Sequence, residues 1–153
     1  MRCQKHGLPA FGIDFSEDGV AECLAKGLAA RQVDLNEIAS ASDADRFQQM
    51  AAFHFVEHLD QPVTLFEQAA SRALPSASLW VSVPSDLRPS RYFGDRDFLD
   101  QPPHHMTRWA SEAFREIGIR HGWRLVQVFY EPMPMRTALW SISVCTPSVL
   151  SLK

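Results

Sequence analysis

A strand that ends in an acid and leads directly into a helix constrains the fold of this chain most. Residues 10–16 read AFGIDFS, an apolar stretch closed by Asp14 and followed by the helix-capping residue Ser16. In nucleotide-type α/β folds a glycine-rich loop lies about 20 residues before such an acid. Only thirteen residues precede Asp14, and the seven glycines nowhere form Gly-x-Gly. The sequence therefore predicts such a fold without its first strand and glycine loop.

Composition and charge exclude several classes of partner. A length of 153 residues predicts one domain, residues 1–153, with an adequate core. The net charge of −3 gives no electrostatic footprint for nucleic acid. No apolar run approaches the ~20 residues that span a bilayer, and residues 1–6 lack the apolar stretch of a signal peptide. Three cysteines without metal or redox spacing predict reduced thiols, so we expect a cytoplasmic protein without a membrane or nucleic-acid partner.

Strand and helix patterns alternate along the chain. We expect strands at 10–14, 32–35, 78–83, 123–130 and 139–145, and helices at 16–26, 62–74 (ended by Pro75) and 111–121. Residues 46–55 fit a buried strand or a helix equally well, 84–108 form a long loop, and 146–153 form a tail. This order predicts a mostly parallel sheet with helices on both faces. The last two strands have a short link, which predicts one antiparallel strand at or near an edge.

Two acids mark the ends of the first two predicted strands. Asp14 ends the first strand, and Asp34 lies twenty residues further on. An acid at the carboxyl end of a parallel strand suits hydrogen bonding to a ribose diol. Asp34 is placed to accept a hydrogen bond from an adenine amine. The alternative for each acid is a capping or solvent-facing carboxylate.

The run from His54 to His58 reads His-x-x-Glu-His. On a helix, His54 and His58 would lie one turn apart beside Glu57, as in the inverted zinc-protease signature. The motif is short, and no acidic third ligand on a second helix is evident. Two other interpretations are open: a strand end followed by a polar turn, or a site that touches cofactor, substrate or a divalent cation.

The long loop carries a second pair of histidines. His104 and His105 follow two prolines, and an imidazole held there is suited to act as a general base. The alternative is a pair of turn histidines bonded to backbone. Three arginines of the same loop suit an anionic substrate or are simply solvated: Arg88, Arg91 and Arg96.

Together these stretches resemble the class I S-adenosylmethionine-dependent methyltransferases of the type 11/type 23 group. Residues 12–16 look like the acidic second strand of that family, and 33–35 look like its third strand. Residues 53–62 look like its fourth strand with the Glu-His-Leu-x-x-Pro step, and 102–109 look like its pre-helix motif. The resemblance covers residues 7–130 in the right order.

The resemblance implies a Rossmann-like sheet of strand order 3-2-1-4-5-7-6, here without central strand 1. It implies S-adenosylmethionine as cofactor and methyl transfer to an O, N or C nucleophile of a small molecule. The implied cofactor-binding residues are Asp14 on ribose, Asp34 on adenine, Phe15, and Phe53 packed against the cofactor. The implied base is His104 or His105.

The resemblance also raises the question of a cation. Ubiquinone-pathway O-methyltransferases bind a divalent cation through Glu-x-x-Glu-His at the fourth strand. This chain keeps Glu57 and His58 and has His54 in place of the first Glu, so His54, Glu57 and His58 are the implied ligands. Another departure is Pro75-Ser76-Ala77, where the family usually shows Pro-Gly-Gly.

The missing strand sets two alternatives beside an active enzyme. Without strand 1, the strands ending at Asp14 and Phe53 must pair directly, borrow a strand or leave backbone groups unsatisfied, at roughly 1–3 kcal/mol each. We hypothesise a truncated or mis-started reading frame. A non-catalytic binding module would also fit the missing loop, and a metal hydrolase would need His54 and His58 on one helix face.

Overall fold

A computed structural model of the chain describes residues 6–38, 45–84 and 101–130, and the backbone of 147–152. The chain divides into two compact units, Met1–Asp43 and Ala44–Lys153. The single domain expected from the length stays a prediction. Within the described ranges, no helix has the length and apolar character needed to cross a membrane.

The first unit is a parallel β-α-β element made of β1 (Gly12–Asp14), α1 (Glu17–Ala25) and β2 (Ala30–Gln32). The expected cap is confirmed, because the Gly19 amide donates to Ser16 Oγ at 3.2 Å. The helix stops before Gly27, whose φ of +71° suits glycine. The second strand starts two residues and ends three residues earlier than predicted.

The described residues of the second unit form four strands and two α-helices. In chain order these are β3 (Phe47–Phe53), α2 (Val63–Ser71), β4 (Ala73–Pro84), α3 (Ser111–Arg120), β5 (Leu125–Tyr130) and β6 (Pro147–Leu152). The strands form one sheet in the order β3-β4-β6-β5. The ambiguous stretch 46–55 is therefore a strand, parallel to β4.

The expected end of the second helix at Pro75 is wrong. Helix α2 ends at Ser71, and β4 starts at Ala73 and runs through Pro75. The register explains how a strand accommodates this proline: Phe47 pairs with Ala73, but Gln49 pairs with Ser78. The residues between those two pairs are irregular, so the missing amide of Pro75 leaves no gap in the regular ladder.

The expectation of a tail at 146–153 is also wrong. Strand β6 occupies most of that stretch and pairs antiparallel with both β4 and β5. The strand predicted at 139–145 lies outside the described residues. An antiparallel strand next to the edge strand β5 agrees with the predicted sheet. Within the first unit the pairing β1-β2 agrees with strands 2 and 3 of the expected order, and within the second unit β3-β4-β6-β5 agrees with 4-5-7-6.

The core of the second unit is an aromatic cluster on α2 and α3. Phe66 and Phe114 are completely or almost completely buried, and Trp109 joins them. The ring centroids of Trp109 and Phe114 are 4.6 Å apart, and those of Phe66 and Phe114 are 6.3 Å apart. Trp123 Nε1 donates to the Phe66 carbonyl at 3.1 Å. Residues 77–79 and 81–83 of β4 are buried in succession, as in a strand covered on both faces.

Gly118 in α3 offers a test of this packing. A Cβ at Gly118 would lie 3.1 Å from the Trp123 carbonyl oxygen. Alanine favours a helix by about 1 kcal/mol over glycine, whereas overpacking costs about 1–3 kcal/mol. We expect Gly118→Ala to lower the free energy of unfolding by about 1 kcal/mol, measured by urea denaturation. The matched control is Gly19→Ala in α1, where the nearest atom is a flexible Asp14 side-chain oxygen at 3.3 Å. Equal stabilisation by both substitutions would contradict the contact.

Candidate functional site

The carboxyl end of β1 places Asp14 and Phe15 next to each other. Asp14 Oδ1 accepts a hydrogen bond from the Ser16 amide at 2.9 Å. The Val33 amide donates to the Asp14 carbonyl at 3.0 Å, and Gln32 Nε2 donates to the Phe15 carbonyl at 3.0 Å. These contacts fix the strand end against the segment that follows β2. The Phe15 side chain is 72% exposed there.

Asp34 follows β2 and lies in the same unit as Asp14. It caps the 3-10 turn Leu35–Glu37, because its Oδ1 accepts from the backbone and side-chain nitrogens of Asn36, each at 2.8 Å. Both acids are exposed, and within the described ranges the Oδ2 atom of neither accepts a hydrogen bond. Each acid thus performs the local capping role and retains an oxygen for a ligand.

In the second unit, the carboxyl end of β3 leads into a tight turn. Phe53 ends the strand with its side chain 59% exposed. His54 has a φ of +49°, and its amide donates to the Ser82 carbonyl of β4 at 3.0 Å. Residues Val56–His58 then form a single 3-10 turn. The α-helix that the inverted zinc-protease signature requires is therefore not formed.

Glu57 is the unusual residue of this turn. It is 1% exposed, and neither oxygen of its carboxyl group has a hydrogen-bond partner among the described residues. Nδ1 of the half-exposed His54 lies 3.4 Å from Glu57 Oε1. Buried polar groups are nearly always satisfied, and a buried charge is costly without a partner. Among the described residues, the His54 ring is therefore the nearest group that could compensate the burial of the Glu57 carboxyl group.

The segment before α3 docks onto this turn through main-chain atoms. The amides of Met106 and Thr107 both donate to the Glu57 carbonyl, at 2.8 and 3.1 Å. Thr107 Oγ1 donates to the Val56 carbonyl at 3.3 Å. Trp109 Nε1 in turn donates to Thr107 Oγ1 at 2.9 Å, which connects the segment to the aromatic core. These bonds bring residues 101–110 to the end of β3.

Docking separates the roles of the two loop histidines. The His105 ring lies edge-on to the His58 ring, with centroids 4.9 Å apart. Glu57, His58 and His105 each offer a ligand atom, and these atoms lie within 4.8 Å of one another. His104 has an exposed side chain and contributes its carbonyl oxygen, which accepts from His58 Nδ1 at 2.5 Å. We call Glu57, His58 and His105 the acid-histidine cluster.

Sequence reasoning treated Glu57 with His58 and His105 as separate motifs. They are joined by bonds between residues 46 and 51 positions apart, which no local pattern encodes. The two prolines that precede the histidines were the one local signal, because proline restricts the backbone φ angle and so limits the conformations of this segment. Arg88, Arg91 and Arg96 lie outside the described residues.

The comparisons with solved structures bear on the fold. An S-adenosylmethionine-dependent methyltransferase from Archaeoglobus fulgidus superposes with a TM-score of 0.74 at 19% identity, over 99% of this chain and 79% of that one. An S-adenosylmethionine-dependent methyltransferase from Mesorhizobium loti superposes with a TM-score of 0.71 at 15% sequence identity, over 99% of this chain and 83% of that one. The chain has the class I methyltransferase fold. A magnesium protoporphyrin IX methyltransferase from Synechocystis with bound S-adenosylhomocysteine superposes with a TM-score of 0.69 at 14% sequence identity, over 97% of this chain and 65% of that one.

Comparison of the sequence with protein-family models and with curated proteins finds no match. The methyltransferase fold therefore stands on the structure, as the identities are all low. Within this fold, β1 and β2 correspond to strands 2 and 3, and β3 and β4 correspond to strands 4 and 5. The roles implied for Asp14, Phe15, Asp34, Phe53 and the histidines stay predictions.

Proposed function

We propose that this chain binds S-adenosylmethionine and catalyses methyl transfer to an O, N or C nucleophile of a small molecule. The observation that carries the proposal is an acid with an available oxygen at the carboxyl end of β1, in a methyltransferase fold. Ligands of open α/β sheets bind outside the carboxyl ends of the strands. Three solved structures with this fold, of two different methyltransferases, have S-adenosylmethionine or S-adenosylhomocysteine bound.

The residues present suit the cofactor. Asp14 would accept hydrogen bonds from the ribose hydroxyls through Oδ2, and Asp34 would accept from the adenine amine. Phe15 and Phe53 both have exposed aromatic side chains, one directly after β1 and one at the end of β3. Following the family resemblance, we propose each ring as a candidate for contact with the apolar parts of the cofactor.

When bound, the cofactor would supply a sulfonium methyl group: a bond would form between the methyl carbon and the nucleophilic atom of the acceptor, and the carbon–sulfur electron pair would remain on sulfur. The protein would then position the acceptor and remove its proton. The acid-histidine cluster is our candidate for proton removal, since it lies at the carboxyl end of β3. Two routes are open to it: the His105 imidazole takes the proton, or a bound cation lowers the acceptor's pKa. His104 has its side chain outside the cluster.

Calorimetric titration with S-adenosylmethionine tests the cofactor site. In Asp14→Asn the amide oxygen still accepts from the Ser16 amide, but the charge and one acceptor are lost. A hydrogen bond to a charged group contributes about 1.5–3 kcal/mol, so we expect affinity to fall about 10- to 100-fold. The matched control, Asp18→Asn, removes an exposed acid from the first turn of α1 and should leave affinity unchanged. Equal affinities for all three proteins would overturn the assignment of Asp14.

Formation of S-adenosylhomocysteine separates an enzyme from a binding module. The protein is incubated with S-adenosylmethionine and a panel of small phenols, carboxylates and amines, and the product is quantified by mass spectrometry. Methylated acceptor and S-adenosylhomocysteine in equal amounts are the expected result. Cofactor binding without turnover on any acceptor class would favour a non-catalytic binding module.

A further inference from the structure

We propose that the acid-histidine cluster of Glu57, His58 and His105 binds a divalent transition-metal ion. The three ligand atoms lie within 4.8 Å of one another and come from two segments joined by main-chain hydrogen bonds. His54, which the sequence pairs with Glu57 and His58, lies outside this group. The proposed ligand set keeps Glu57 and His58 of the sequence motif and takes His105 in place of His54.

The buried carboxyl group carries the argument furthest. Taking an ionised carboxylate out of water costs several kcal/mol even after the protein relaxes, unless charge and hydrogen bonds compensate. Glu57 has no hydrogen bond to either oxygen, and its nearest cationic candidate is the His54 ring at 3.4 Å, which is half exposed. A dication held at the carboxylate would compensate the desolvation that the described residues leave uncompensated.

His58 is oriented as a ligand by its neighbour. A carbonyl oxygen accepts only, so the bond between His58 Nδ1 and the His104 carbonyl places the proton on Nδ1. The lone pair of the ring then lies on Nε2. Metal-bound histidines commonly donate their second nitrogen to a carbonyl in this way, which fixes both tautomer and ring direction.

His105 completes the set after a small movement. Around a tetrahedral ion with bonds of about 2.1 Å, ligand atoms lie about 3.4 Å apart. The ligand atoms, which lie within 4.8 Å of one another, therefore need to approach by up to about 1.4 Å. The His58 ring is held by the His104 carbonyl, so the adjustment falls on the partly exposed His105 ring and on the Glu57 side chain, while the backbone of Met106 and Thr107 is held by the Glu57 carbonyl.

The ligand types select the ion. Two imidazoles and one carboxylate suit zinc, ferrous iron and cobalt, whereas magnesium and calcium favour oxygen ligands. Three protein ligands leave at least one coordination position for another molecule. The next step rests on the proposed methyl transfer: the open coordination position would take an oxygen atom of the acceptor. We therefore expect acceptors that carry a hydroxyl or carboxylate group near the methylated atom. Ion binding itself does not depend on the proposed function.

Direct titration with Zn²⁺ and Co²⁺ tests the site. Chelator-treated protein is titrated by calorimetry, and Co²⁺ binding is followed by its visible ligand-field absorption. We expect one ion per chain, with both ions binding more tightly than Mg²⁺. Glu57→Gln and His105→Ala should each weaken binding by about 100-fold or more, since removal of a ligand exceeds the 10- to 100-fold cost of losing an outer partner. Circular dichroism confirms that the variants are folded.

Two neighbouring histidines provide the controls. His104→Ala retains the carbonyl that orients His58 and should bind as the unaltered protein does. His54→Ala removes a contact to Glu57 and should weaken binding by no more than about 10-fold. Retention of binding in His105→Ala together with its loss in His54→Ala would overturn the proposal in favour of the sequence motif. Tighter Mg²⁺ than Zn²⁺ binding, or no stoichiometric ion at all, would overturn it as well. S-adenosylmethionine binding is measured separately, so failure here leaves the proposed function standing.

Discussion

Phe66→Ala is expected to lower the free energy of unfolding by about 3–5 kcal/mol. The Phe66 side chain has no exposed surface and lies against Trp109 and Phe114, with ring centroids 6.2 and 6.3 Å away. Truncation loses the transfer free energy of the ring and leaves a cavity that large aromatic neighbours fill poorly. A loss of this size approaches the whole stability of many domains. Urea denaturation followed by tryptophan fluorescence measures it.

Phe53→Ala is the matched control for Phe66→Ala. It removes the same atoms from a side chain that is largely exposed at the end of β3. We expect its cost to stay below about 1 kcal/mol. Similar losses for the two substitutions would show that the aromatic cluster is not the core of the second unit.

Glu57→Met is expected to raise the free energy of unfolding by about 1–4 kcal/mol when chelator is present. The thioether side chain has a similar volume and removes a buried carboxyl group that lacks hydrogen bonds. Its main-chain carbonyl, which accepts from Met106 and Thr107, is unaffected. The gain would be accompanied by loss of Zn²⁺ binding. Groups kept for function at the expense of stability behave in this way.

Glu116→Met controls for the general effect of replacing an acid by methionine. Glu116 lies on α3 with its side chain 69% exposed, so its replacement should change stability by less than about 0.5 kcal/mol. Thermal and urea unfolding in chelator, with and without added Zn²⁺, measures both variants. A destabilised Glu57→Met protein would mean that the carboxyl group is satisfied in solution by a partner that the described residues do not provide.

Local chemistry made the first unit readable from sequence. Ser16, Gly27 and the acids of the first helical turn set the ends of α1, and each acts within a few residues of its own position. The spacing of hydrophobic residues likewise predicted α3 and β5 to within two residues of their observed ends. The order of strands and helices, and with it the fold class, followed from these local patterns.

Non-local pairing decided what the sequence left open or placed wrongly. Residues 47–53 are a strand because β4 pairs with them, and β4 tolerates Pro75 because the register shifts at that point. Residues 147–152 have no strong strand pattern, yet they become β6 between two partners. The acid-histidine cluster was beyond reach for the same reason: burial of Glu57 and proximity of His105 arise only when residues 101–110 dock.

The main-chain attachment of residues 101–110 to Glu57 determines which side chains of the acid-histidine cluster can be replaced. Met106 and Thr107 hold to Glu57 through amide and carbonyl groups, which every residue except proline supplies. Side chains at positions 57 and 105 can therefore be exchanged while the scaffold that presents them stays in place. A library limited to these two positions, with side chains of about the volume of glutamate at the buried position 57, would sample new ligand chemistries on a fixed backbone.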